Sequence, residues 1–161
     1  MIDGDVVVHE LVLPAPPDDV FDMFVRPDEL VRWIGISAEL EARPGGVFRF
    51  EVVPGQFCEG RYVDVDRPRR LVFTWGWTEP TMNVPPGSSR VEVTLEPHAD
   101  GTSLRLVHHE LSPDGRLMHD DGWTSFLGRL AAIVAGRETP SYPSGDPQER
   151  LRELKEERDG G

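Results

Sequence analysis

Between Gly115 and Ala135 the chain places Trp123, Phe126, Leu127, Leu130, Ile133 and Val134 three and four residues apart, which forms one wide apolar stripe along a single helix. Such a stripe has to be covered. The only other apolar surface large enough is made of strands. In VEVTLE, Val91, Val93 and Leu95 alternate with Glu92, Thr94 and Glu96, and in SLRLVH, Leu104 and Leu106 alternate with Arg105. Each therefore has one buried and one wet face. Helix against sheet predicts a two-layer α+β architecture.

The remaining segments supply more strands and two small helices. DVVVHELVL, ending at Pro14, reads as a first strand. PAPPDDVFDMF then reads as a short helix, with Pro16 and Pro17 at its entrance, Asp18 and Asp19 at its positive end, and Val20, Phe21 and Phe24 on one side. PDELVRWI restarts a second, with Leu30, Trp33 and Ile34 sharing a face. AELEA, VFRFEVV, FCEGRYVDV and LVFTWGW follow as strands, separated by turn residues such as Pro44-Gly45-Gly46 and Pro54-Gly55, before RVEVTLEP and SLRLVHHEL. Links this short imply an antiparallel meander. LVFTWGW is apolar on both parities, so pattern alone leaves open whether Phe73, Trp75 and Trp77 all point inward.

The boundary is expected at Gly136, with residues 1–136 forming one domain and 137–161 a tail. TPSYPSGDP reads as a loop, and Asp146, Pro147 and Glu149 fit an N-cap, N1 and N3 for a last helix, QERLRELKEER. That helix has only Leu151 and Leu154 to bury, so it is expected to fray or to dock on a partner.

Charge and cysteine content narrow the function. Seventeen basic against 29 acidic side chains give a net charge of −12. That repels phosphate backbones and anionic lipid, so neither nucleic acid nor a membrane surface is expected as a partner. No stretch reaches the roughly 20 apolar residues that span a bilayer, and Met1 to Val8 carries aspartates where a signal peptide carries positive charge, so the expected location is the cytoplasm. The single cysteine, Cys58, has no internal disulfide partner and reads as a small core residue rather than a reactive thiol.

Taken together, PDELVRWIG, RPGGVFRFEV, GRYVDVDRPRRLVFTW, VEVTLEP with DGTSLRLVHHEL, and HDDGWTSFLGRLAAIVAG resemble, in order over residues 6 to 136, the START-like helix-grip (SRPBCC) superfamily. The resemblance is to the C-terminal-domain family of Aha-type activators of the heat-shock protein 90 ATPase. It implies six or seven antiparallel strands wrapped around the last helix, with two short helices after the first strand. It also implies a cavity for an apolar ligand, lined by Trp33, Phe48, Phe50, Tyr62, Trp75, Met118, Trp123 and Phe126. The eukaryotic co-chaperones of the family have an additional N-terminal domain that this sequence lacks, and fold alone does not carry their activity over.

Candidate chemistry is sparse. Strand parity puts His108 on the apolar face, and His119 precedes Trp123 by one helical turn. The two either orient a polar end of a ligand and exchange protons near neutral pH, or tie down the strand-to-helix loop. His108 and His109 point to opposite faces and there is no His pair at i, i+4, so no metal site is expected. No GxSxG elbow is present and no cofactor is implied. Glu51 and Glu59 are expected to face water, as are Arg61, Arg69 and Arg70 beside Asp64 and Asp66. Gly122, which costs a helix about 1 kcal/mol relative to alanine, suggests a close approach of helix to sheet. The leading expectation is non-enzymatic binding of a small apolar molecule by a monomer or homodimer. One alternative is a co-chaperone-like module that docks on a chaperone or other protein. The other is a cyclase- or hydrolase-like enzyme using His108 or His119.

Overall fold

The computed structural model describes residues 1–141 and 145–160. Its elements in chain order are β1 (Ile2–Asp3), β2 (Val6–Leu13), α1 (Pro17–Val25), α2 (Pro27–Leu30), β3 (Ser37–Leu40), β4 (Val47–Val53), β5 (Gln56–Asp66), β6 (Arg70–Trp75), β7 (Ser89–His98), β8 (Gly101–His109), α3 (Pro113–Val134) and α4 (Pro147–Gly160). The strands form one antiparallel sheet in the order β1-β2-β8-β7-β6-β5-β4-β3. It has eight strands rather than six or seven because Ile2–Asp3 folds back on Val6 and Val7 through Gly4, at φ +61°. From β3 to β8 each strand pairs with its sequence neighbour, as short turns require. The long-range step is β2 against β8, with Val7 opposite His108 and Leu13 opposite Thr102.

Register decides the inner face. Val91 pairs with His108, Val93 with Leu106, Phe73 with Val91 and Tyr62 with Phe73, and all of these are buried. An irregularity between Tyr62 and Asp64 flips the parity of β5, so Tyr62 and Val65 both turn toward the core while Val63 is exposed. The open question about LVFTWGW resolves inward, since Leu71, Phe73 and Trp75 lie in the core from β6 and Trp77 follows from an isolated bridge to Cys58. Gly76, between the two tryptophans, is closed on the other side, because a Cβ there would sit 1.7 Å from the Pro85 carbonyl oxygen.

Helix α3 starts at Pro113, two residues before the expected Gly115. The Ser112 hydroxyl accepts from the Gly115 N–H at 3.0 Å and caps it. It stops where Gly136 takes φ +68° and the Gly136 and Arg137 N–H groups bond back to Ile133 and Ala132, a Schellman ending. The second short helix is only Pro27–Leu30, continued to Ile34 by turns, yet Leu30, Trp33 and Ile34 are buried together.

At the α1 end the aromatics are filled in. Phe48 stacks on Phe73 at 4.2 Å, with Tyr62 edge-on at 5.6 Å. The Trp33 indole donates to the Met23 carbonyl at 2.9 Å and the Tyr62 hydroxyl to the Phe24 carbonyl at 3.2 Å. Both carbonyls belong to the last turn of α1, which has no intrahelical donors left for them.

In the structure the tail packs on its own chain. Of the expected loop TPSYPSGDP, residues 142–144 lie outside the described residues. Beyond them, Asp146 accepts from the Gln148 N–H at 3.0 Å and opens α4, which docks on α3 of its own domain. Leu151 is buried there, Arg150 grips Asp121 through two bonds of 3.0 and 2.7 Å, and Lys155 reaches Asp114 at 3.1 Å.

Candidate functional site

Where β6 runs out under the first half of α3, three indoles meet two imidazoles. Indole N–H groups only donate, so the bond pattern assigns both histidines. Trp123 Nε1 donates to His108 Nδ1 at 3.0 Å, which leaves His108 Nε2 to carry the proton and donate to Ser89 Oγ at 2.9 Å. Ser89 Oγ in turn donates to the Trp75 carbonyl at 2.8 Å. Trp75 Nε1 and Trp77 Nε1 both donate to His119 Nε2, at 3.2 and 3.0 Å, so His119 is protonated on Nδ1 and donates to the Gly115 carbonyl at 2.7 Å. Every ring nitrogen in the cluster is used.

This arrangement requires neutral imidazoles. Burial pushes His119 down to about 4 against the usual 6.5, with the Gly115 carbonyl opposing the shift. His108 is held well below 6.5, first by burial and then by the neighbouring His119 and His109.

Above this cluster lies a cavity of about 380 Å³. Trp75, Trp77, His119 and Trp123 form its floor. Met118, Gly122 and Phe126, on successive turns of α3, form one wall, and Val52, Val53 and Gln56 from the β4–β5 hairpin form another. Met82 and the first turn of α4, with Asp146, Pro147 and Arg150, close the mouth, where Arg150 is paired with Asp121. Among the lining residues Trp75, Trp77, Trp123 and His119 are buried, whereas the polar Gln56 and Arg150 are half-buried and Asp146 is exposed.

Of the ten candidate ligand-binding residues, Trp75, Met118, His119, Trp123 and Phe126 border this space. Trp33, Phe48, Phe50 and Tyr62 instead fill the core beside it, and His108 lies one layer beneath the floor, bonded to Trp123. Trp77, Gly122 and Arg150 were not among the candidates. Trp77 is signalled by sharing parity with Trp75, whereas nothing local to the sequence links Arg150 to Asp121. Gly122 overturns its expected role, because a Cβ built there meets only Phe126 Cε2, at 4.0 Å, and no strand. Glu51 and Glu59 do not reach the cavity: Glu51 bonds Ser37 Oγ and the Gly55 N–H, and Glu59 lies near Arg49. Arg69 and Arg70 pair with Asp66 and Asp64, and Arg61 donates to the Gly45 carbonyl.

Residues 14–135, spanning both short helices, the six strands β3 to β8 and α3, match the family described as activator of Hsp90 ATPase homolog 1-like protein. The chain belongs to that family. No curated protein matches its sequence. Among solved structures, this activator-homologue chain is similar to an AHSA1-like protein of Rhizobium etli, with 37% identity and a TM-score of 0.67 over 88% of this chain and 90% of that one. It is also similar to CalU16 of Micromonospora echinospora, with 25% identity and a TM-score of 0.66 over 96% and 85%. DynU16, a protein of the dynemicin biosynthetic locus, matches at 25% identity and a TM-score of 0.70 over 84% of this chain and 49% of its own. The family match ends before α4, so the floor and the α3 wall lie inside it and the α4 mouth outside. No helix among the described residues is long and apolar enough to cross a membrane.

Proposed function

We propose that this activator-homologue domain binds a small apolar molecule between sheet, α3 and α4, without chemical turnover. The observation that carries the reading is a space of about 380 Å³ floored by Trp75, Trp77 and Trp123. It lies within the range of about 300–1,000 Å³ in which small-molecule sites fall. The saturated hydrogen bonds of the floor add selectivity. A polar group pushed against it would find no partner, which costs about 1–3 kcal/mol, so the deep end of the occupant is hydrocarbon or aromatic and any polar end faces Gln56, Asp146 and Arg150. The place of DynU16 in a biosynthetic locus is in keeping with an organic occupant.

The alternatives have less support. Acid–base catalysis by His108 or His119 needs a free ring nitrogen, and both rings are committed to indoles and to Ser89 or Gly115. Docking of a chaperone through the tail competes with the use of Leu151 and Arg150 against α3. The reading is tested by tryptophan fluorescence against fatty acids, polyketides and aromatic compounds. Saturable quenching by at least one class is expected, and no saturable response from any class overturns it.

A further inference from the structure

We propose that Gly122 is the residue that sets how large a molecule the cavity admits, an inference that rests on the binding reading above. Glycine is the poorest helix former after proline, so one in the interior of a helix calls for a reason. The usual reasons are absent at this position. Gly122 is not among the positive-φ residues, and the nearest atom to a Cβ built on it is Phe126 Cε2 at 4.0 Å, ordinary contact with the end of a side chain. What the missing side chain leaves is space. Met118 and Phe126 lie one turn to either side on the same face of α3 and both border the cavity, so a side chain at 122 would grow into it between them. Gly128, also within α3 and with nothing within 4 Å of its Cβ, is exposed and lies outside the cavity, which makes it an internal control.

The occupant is therefore an apolar body that lies flat against α3 and uses the glycine as its clearance. Alanine at 122 trims that clearance and leucine closes it. The test uses the full chain as wild type, Gly122→Ala, Gly122→Leu and Gly128→Ala, with naphthalene as the probe. Thermal melts and titrations followed through the indole N–H resonances are recorded for each. Gly122→Ala and Gly128→Ala are both expected to raise Tm by about 2–4 °C, through helix propensity. Naphthalene affinity is expected to be unchanged in Gly128→Ala, reduced in Gly122→Ala, and about tenfold or more weaker in Gly122→Leu, as for overpacking a filled site. A gain in stability with a loss of binding is a signature that a packing role for the glycine does not produce. Undiminished binding by Gly122→Leu, or a lower Tm for Gly122→Ala, overturns the inference while leaving the binding reading in place. A wild-type chain that takes up no naphthalene overturns the inference, and the binding reading falls with it only if the fatty acids, polyketides and other aromatic compounds also give no saturable response.

Discussion

At one end of the sheet, Phe48, Phe73 and Tyr62 share a core with α1 and α2; at the other, Trp75, Trp77 and Trp123 line a cavity that the first turn of α4 borders. The side chains beneath are equally large and aromatic, and the covers differ. Helix α1 buries Val20, Phe21, Met23, Phe24 and Val25 within nine residues, whereas α4 buries Leu151 alone within fourteen. The first cover packs its apolar side chains into the core of the sheet, and Trp33 and Tyr62 bond its last carbonyls. The second is tied to α3 by the Arg150–Asp121 and Lys155–Asp114 pairs and puts little apolar surface beneath it, beside a wall that contains a glycine. Aromatic content gives a core its size, and the helix above decides whether that core is filled.

The difference between the ends can be broken by mutation. Phe73→Ala at the filled end is expected to cost about 3–5 kcal/mol in denaturant unfolding, while Phe126→Ala, half-buried beside existing space, costs less than about 2 kcal/mol. Equal costs would mean that the two ends are packed alike. His119→Ala leaves the Trp75 and Trp77 indoles without an acceptor and is expected to cost about 2–4 kcal/mol.

Acid should act through the open end in the same way. The native state holds His119 near 4 while the unfolded chain returns to 6.5. The unfolded state therefore binds more protons between these values, and stability rises with pH across them. The contribution is complete above pH 6.5 and is lost as pH falls from there to about 4, on the order of 3 kcal/mol. His108 acts in the same direction. Unfolding midpoints at pH 7.5, 5.5 and 4.5 should show this slope, and His119→Ala should flatten it. The smallest effect belongs to the cover. The Arg150–Asp121 pair is partly exposed, so Arg150→Ala is expected to cost under about 1 kcal/mol, yet to speed amide exchange in α4 while leaving α1 unchanged.

The fold was largely legible in the sequence because its signals are local. Alternation in VEVTLE and SLRLVH, turn residues at fixed intervals, and the stripe of α3 each depend on neighbours within a few positions, and seven of the eight strands follow from them. The two-residue β1 is too short to carry a pattern. At the site, helical spacing put His119 on the side of Trp123, and only the family resemblance turned Trp75 inward where parity left it open, but spacing cannot report what lies above an inward face. Phe48 and Trp77 look alike in sequence, and what separates them is that Phe48 stacks on Phe73 in the core while Trp77 lines the cavity. Gly122 was legible as an anomaly and not as a space, since a close approach and a vacancy give the same residue.

The four tryptophans provide the most direct test, because each gives one resolved indole N–H resonance and they divide between the two ends. On titration with naphthalene, the resonances of Trp75, Trp77 and Trp123 are expected to shift together and saturate, while that of Trp33, bonded to Met23 in the filled end, stays where it is. If Trp33 shifts as much as the other three, or none of the four shifts, then the two ends are not the filled and open regions described.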